Sequence, residues 1–266
     1  MLICVFAVIF LLSDVAPPYT AAGENIRPKR MIGGRDTTIE EHPYQVAVEY
    51  DNYEYKCSGA ILSKYYVLTA AHCINVTANE TKIRSGSSLR SEGGILHDVT
   101  DVKVHKLYSL NKYSNSDYDI GVVRVDPPFS YDETRQPIPL YEDAVSSNFT
   151  TDEKLVISGW GSMDHDENLS DQLQTMDVPW ISKKLCNESY AKFDGIRDGQ
   201  ICTGYLGERD KDICSGDSGA PLIFQGKVIG VAAYTEGRCG RLDYPAVYTE
   251  VAYFLDWIKE HVEFDD

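Results

Sequence analysis

The chain has 266 residues, 43% of them apolar, enough for a sizeable core and compatible with a two-barrel β protein folded as one unit. Its formal net charge of −16 argues against nucleic acid as a partner, because a phosphate backbone would repel it. Otherwise the acidity favours solubility and names no substrate.

Residues Leu2–Leu12 are almost purely apolar. The run is too short for a bilayer, which needs about 20 residues, and small residues Thr20-Ala21-Ala22 follow it. The pattern predicts a signal peptide over 1–22, although no Lys or Arg precedes the apolar run, and with it a secreted protein. No later segment is long and apolar enough to be a membrane anchor. A short polar stretch, 23–30, then ends in Lys29-Arg30, a site inviting cleavage by a trypsin-like enzyme.

From Met31 onward come short runs rich in β-branched and aromatic residues, separated by Gly, Asn, Asp and Pro. Strands are expected in Tyr44–Tyr50, Ala60–Leu68, Ile120–Val125, Leu155–Ser158, Pro221–Phe224 and Val228–Tyr234. Such a succession fits a β barrel or a sandwich. The Pro-rich polar stretch at about 126–147 is a candidate linker between two halves. Phe254, Leu255, Ile258 and Val262 recur at near-helical spacing, predicting an amphipathic helix over Val251–Val262.

Of seven cysteines, Cys4 leaves with the signal peptide. Cys57, Cys73, Cys186, Cys202, Cys214 and Cys239 remain, an even set that suggests disulfides, though spacing alone allows many connectivities. Sequons for N-glycosylation start at Asn75, Asn79, Asn148, Asn168 and Asn187.

Three local sequences carry chemistry. They are Val67-Leu68-Thr69-Ala70-Ala71-His72-Cys73, Asp119-Ile120-Gly121-Val122-Val123 and Gly216-Asp217-Ser218-Gly219-Ala220-Pro221. A serine hydroxyl is a poor nucleophile near neutral pH and needs an imidazole to take its proton. A buried carboxylate then fixes the imidazole tautomer and stabilises its charged form. Backbone N–H groups of Gly216 and Ser218 could face a developing oxyanion. Taken singly, His72 could be structural or a metal ligand, Asp119 a turn residue and Gly-Asp-Ser-Gly a loop. No second Cys or His stands at zinc-finger spacing, so no metal is expected. His42, His97, His105, His165 and His261 read as surface or packing residues.

Together with Ile32-Gly33-Gly34, Ser158-Gly159-Trp160-Gly161 and Pro245-Ala246-Val247-Tyr248, these motifs resemble the trypsin-like, chymotrypsin-fold serine peptidase family over nearly all of 31–266. The resemblance implies an all-β fold of two antiparallel six-stranded barrels with a C-terminal α-helix. It implies a triad of His72, Asp119 and Ser218 and disulfides Cys57–Cys73, Cys186–Cys202 and Cys214–Cys239. It also implies activation by a cut between Arg30 and Met31, made by a trypsin-like protease, after which the new amine pairs with Asp217. Met31 departs from the Ile usual there. The substrate pocket would have Asp212 at its floor and include Thr235, Ala246, Tyr190 and Tyr248. Asp212 favours cleavage after Lys or Arg. Thr235 and Ala246 stand where open-pocket relatives carry glycine, which is the argument for elastase- or chymotrypsin-like specificity instead. Ala233 replaces a Ser that often bonds the triad carboxylate. Arg84–Arg90 lacks the carboxylates of a calcium loop, so no cofactor is expected. The partners implied are protein or peptide substrates and protein protease inhibitors, for a chain expected to be monomeric. The competing reading is a non-catalytic homologue acting as a binding protein.

Overall fold

The computed structural model describes residues 34–50, 54–113, 115–145, 149–150, 153–162, 168–205, 217–236 and 244–265. The expected signal peptide and 23–30 segment, Arg30, Met31, Asn148, His165, Asp212, Cys214, Gly216 and Cys239 lie outside the described residues.

Strand β1 (Arg35–Asp36) is followed by β2 (Gln45–Tyr50), β3 (Tyr55–Ile61) and β4 (Tyr66–Thr69), then the single-turn helix α1 (Ala71–Ile74). Next come β5 (Thr81–Ser85), β6 (Ile95–Val104), the small hairpin β7 (Ser109–Leu110) and β8 (Ser116–Asp117), and β9 (Gly121–Asp126). Strands β2-β3-β4-β9-β6-β5 close into an antiparallel barrel. Alternation sets which side chains enter it: Val46, Val48, Ile61, Leu68, Ile83, Val99, Val123 and Val125 pack in one core.

The chain then crosses to β10 (Lys154–Gly159), β11 (Gln174–Ile181), helix α2 (Lys183–Ser189), β12 (Gln200–Thr203), β13 (Pro221–Phe224), β14 (Lys227–Tyr234) and β15 (Ala246–Glu250). These six strands run in the order β11-β10-β13-β14-β15-β12, and the pairing of Trp180 with Thr203 and Ile181 with Cys202 closes the second barrel. β1 adds to its edge through β11. Leu155, Ile157, Trp180, Leu222, Ile229 and Tyr248 fill its interior. Closure removes the free sheet edges that would otherwise pair with other chains.

The run Ala60–Leu68 is two strands, because the chain reverses between Ile61 and Tyr66 and the partners Ala60–Leu68 and Ile61–Val67 face each other. The C-terminal helix is shorter than its apolar spacing suggests: Ala252–Phe254 is a 3-10 turn and α3 covers Leu255–His261. Its apolar face is as expected, with Phe254, Ile258 and Val262 buried against the first barrel. Among the described residues no helix is long and apolar enough to cross a membrane.

Candidate functional site

His72 sits on α1, directly after β4, and Asp119 on the connection into β9, the strand that pairs with β4. The sheet register therefore brings them together across 47 positions of sequence. One Asp119 carboxylate oxygen accepts the His72 backbone N–H at 2.9 Å, and the other lies 2.7 Å from His72 Nδ1. Asp119 is 1% exposed, whereas the His72 side chain is 27% exposed, so a buried acceptor holds a ring that reaches solvent. This arrangement puts the ring proton on Nδ1 and leaves Nε2 as the acceptor. Thr249 anchors the same segment by donating its hydroxyl to the Asp119 carbonyl at 2.9 Å. Ala233 has no hydroxyl to offer the carboxylate.

Ser218 enters from the second barrel, in the turn leading to β13. Its carbonyl accepts the Ser58 N–H at 2.8 Å, and Ser58 follows Cys57. Cys57 is bridged to Cys73, the neighbour of His72. One disulfide thus ties the strand that holds Ser218 to the turn that holds His72. Gly219 has φ +75°, and a Cβ there would lie 2.3 Å from both the Ser58 carbonyl oxygen and the Thr69 hydroxyl, so only glycine lets the turn press this close. The Thr69 hydroxyl donates to the same Ser58 carbonyl at 2.7 Å.

Asp217 is fully buried. Its Oδ1 accepts the Gly161 N–H at 3.1 Å. The space it fills exists because Gly159 and Gly161 have no side chains: added Cβ atoms would stand 2.8 and 2.2 Å from the carboxylate. Tyr55 lies close by, with its hydroxyl 3.0 Å from Ser58 Oγ. Burial, reinforced by the charge of Asp217, holds the Tyr55 hydroxyl above its ordinary pKa.

Among the expected pocket residues, Tyr190 is fully buried and donates its hydroxyl to the Pro245 carbonyl at 2.8 Å. Its ring meets Tyr234 edge-on at 5.8 Å, and its hydroxyl also interacts with the Thr235 side chain. Thr235 is half-buried, and Ala246 is buried at the start of β15. Tyr248 points into the second barrel core, where Thr203 Oγ1 reaches its hydroxyl at 3.2 Å.

The Cys57–Cys73 and Cys186–Cys202 disulfides are formed. Cys57, His72 and Cys73 cluster closely, but both sulfurs are spent in the disulfide and offer no thiolate to a metal. Arg84, in the segment without calcium-loop carboxylates, instead pairs with buried Glu49, Nε to Oε1 at 2.6 Å. Asn75, Asn79, Asn168 and Asn187 are exposed. His42 and His97 are buried, and His105 stacks on Tyr118 at 4.9 Å.

Ser58, Thr69, Thr249, Gly159 and Gly161 support the site without having been marked for it by sequence. The two glycines and Thr69 stood only inside quoted motifs, Ser158-Gly159-Trp160-Gly161 and the run before His72, and no local pattern distinguishes Ser58 and Thr249.

A family model described as Trypsin matches residues 31–258. Trypsin 5G1 of Aedes aegypti is 33% identical over 231 residues, covering 87% of this chain and 84% of that protein. A vitellin-degrading protease of Bombyx mori is 33% identical over 234 residues, covering 88% and 86%. Among solved structures, mouse neuropsin, a serine protease, superposes with TM-score 0.76 at 26% identity over 86% of this chain and 99% of that one. A scabies mite inactivated protease paralogue gives the same TM-score and identity, over 86% and 96%.

Proposed function

From the premise that the chain belongs to the trypsin family of serine endopeptidases, we propose that His72, Asp119 and Ser218 are its catalytic triad. The observation that carries this reading is the double grip of the buried Asp119 carboxylate on His72, through backbone N–H and Nδ1. Similarity of backbone cannot decide the matter, since a serine protease and an inactivated paralogue match equally well. What supports the catalytic reading is that the full triad set is present, which disfavours a non-catalytic binding protein.

In the proposed reaction Ser218 Oγ attacks the peptide carbonyl while its proton passes to His72 Nε2. Asp119 holds the Nδ1 proton and stabilises the imidazolium without taking that proton. The N–H groups of Gly216 and Ser218 receive the oxyanion. The C–N bond then breaks, His72 gives its proton to the leaving amine, and an acyl-enzyme remains. Water, deprotonated by the same imidazole, attacks the ester and frees Ser218.

The chain is proposed to be secreted as a zymogen after loss of residues 1–22, with glycans among Asn75, Asn79, Asn148, Asn168 and Asn187. An activating trypsin-like protease cuts after Arg30, and the Met31 amine enters the buried site of Asp217. A cation beside a buried carboxylate stabilises its charge. Asp212 at the pocket floor selects Lys or Arg, and Thr235 and Ala246 narrow the entrance. The substrates are proteins or peptides, protein inhibitors would fill the same cleft, and the enzyme is monomeric.

The test is a fluorophosphonate probe on the chain cleaved after Arg30. Ser218 Oγ should form the P–O bond with loss of fluoride, located by peptide mass mapping. Failure to label Ser218 while Met31 is the free N-terminus would favour the binding-protein reading.

A further inference from the structure

One glycosylation sequon stands beside the catalytic histidine. Helix α1 is a single turn that buries Ala71, Cys73 and Ile74. His72 keeps 27% of its side chain exposed, and Asn75, which caps the C-terminal end of the turn, is exposed. Residues three apart on a helix are neighbours, with about 5–6 Å between their Cβ atoms. His72 and Asn75 therefore share the open side of the turn, next to the ring that works on substrate in the proposed reaction. The whole Asn75-Val76-Thr77 sequon faces solvent, and even apolar Val76 is 36% exposed.

The other described sequons are placed differently. Asn79 lies beyond Thr77 in the 3-10 turn Ala78–Glu80, where its Oδ1 accepts the Thr77 hydroxyl at 2.6 Å. Asn168 lies between β10 and β11, and Asn187 on α2, where its Oδ1 accepts the Ile196 N–H at 3.1 Å. Both belong to the second barrel.

We propose that Asn75 carries an N-linked glycan and that this glycan is a specificity determinant, slowing the entry of folded proteins while leaving small substrates free. The Asn75 Nδ2 forms a bond to the anomeric carbon of an oligosaccharide held on a lipid diphosphate. The diphosphate leaves with the bonding electron pair, and the amide loses one proton. The product is a bulky, hydrophilic group fixed three residues from His72. A short peptide touches little beyond the cleft. A folded partner covers about 800 Å² of surface in a standard interface, so it must overlap the space the glycan sweeps. The inference rests on the endopeptidase and secretion readings above.

The experiment uses the full chain secreted from a eukaryotic cell and cleaved after Arg30. It is compared with Asn75→Gln and with Thr77→Ala, which keeps Asn75 but breaks its sequon. Asn79→Gln is the control. Peptide mass mapping should find sugar on Asn75 in the wild type and the control, and in neither test variant. The large probe is a folded Kunitz-domain inhibitor presenting Lys, followed by surface plasmon resonance. Its association rate should rise roughly tenfold in both test variants, within the one to three decades over which such rates vary among variants of one interface. The small probe is an alkyl fluorophosphonate, whose labelling rate at Ser218 should be the same in all forms. An unmodified Asn75 in the wild type would overturn the proposal. So would an inhibitor association rate that does not change, or that rises in only one of the two variants. Equal acceleration of both probes would overturn it too, because the glycan would not be sorting by size. Failure of the fluorophosphonate to label any form would instead count against the endopeptidase reading, and inhibitor association would still decide this one, with no binding by any form counting against it.

Discussion

Replacing Gly161 by Ala tests how the buried acid beside Ser218 is held. The new Cβ would lie 2.2 Å from both Cγ and Oδ1 of Asp217 and 2.3 Å from Oδ2. Real carbon atoms do not approach so closely, and Asp217 is fully buried with no solvent to retreat into. Overpacking of this kind costs about 1–3 kcal/mol. The Gly161 N–H bond to Oδ1, at 3.1 Å, would also be strained or lost. A hydrogen bond to a charged group contributes roughly 1.5–3 kcal/mol. The variant should therefore be about 2.5–6 kcal/mol less stable in urea denaturation, by the sum of these two effects. Because Ser218 follows Asp217, kcat/KM should fall by about two orders of magnitude or more, the scale of losing an oxyanion donor. Gly226→Ala is the control. Its φ of +75° makes Ala strained, but nothing lies within 4 Å of the added Cβ. It should cost only about 1–2 kcal/mol and leave kcat/KM unchanged. Wild-type stability and activity in Gly161→Ala would refute the reasoning.

Further perturbations probe other parts of the molecule. Burial pulls the His42 pKa from 6.5 to about 4, so the unfolded chain binds the extra proton between these values. About 3 kcal/mol of stability is thus fully present above pH 6.5, shrinks as pH falls, and is gone below about pH 4. His42→Gln should flatten urea-denaturation stability across that window, and an unchanged slope would count against the assignment. Burial also depresses His97, which adds to the loss in acid. Asp119→Asn should reduce kcat by about four orders of magnitude with the fold retained, because the amide favours the wrong imidazole tautomer. Circular dichroism beside single-turnover kinetics checks both halves of that statement. Removing the Cys186–Cys202 bridge, which spans 16 positions, should cost about 3 kcal/mol in thermal or urea unfolding. A loss below about 1 kcal/mol would mean that α2 is held chiefly by its packing on Tyr190 and Val247.

The sequence showed more of the site's chemistry than of its support. His72, Asp119 and Ser218 sit in short motifs whose residue types are dictated by the reaction, so they stand out locally. Ser58 and Thr249 act through hydrogen bonds to main-chain carbonyls across 160 and 130 positions, which no local pattern records. Strands buried on both faces and built of apolar, β-branched runs, such as Gly121–Asp126 and Lys227–Tyr234, were legible. Ile95–Val104 was not, because polar His97, Asp98, Thr100, Asp101 and Lys103 interrupt it, and its pairing with β5 and β9 forms the strand. The split of Ala60–Leu68 was hidden for the opposite reason: apolar residues run almost through a reversal that contains neither Gly nor Pro. Barrel closure itself rests on pairings such as Ile181 with Cys202, a register that composition does not encode.

The most direct test of the account is peptide-library cleavage by the chain processed after Arg30, run beside Ser218→Ala. The account predicts cuts after Lys or Arg with the wild type and none with the variant. Equal cleavage by both would contradict it, because the nucleophile would then lie elsewhere.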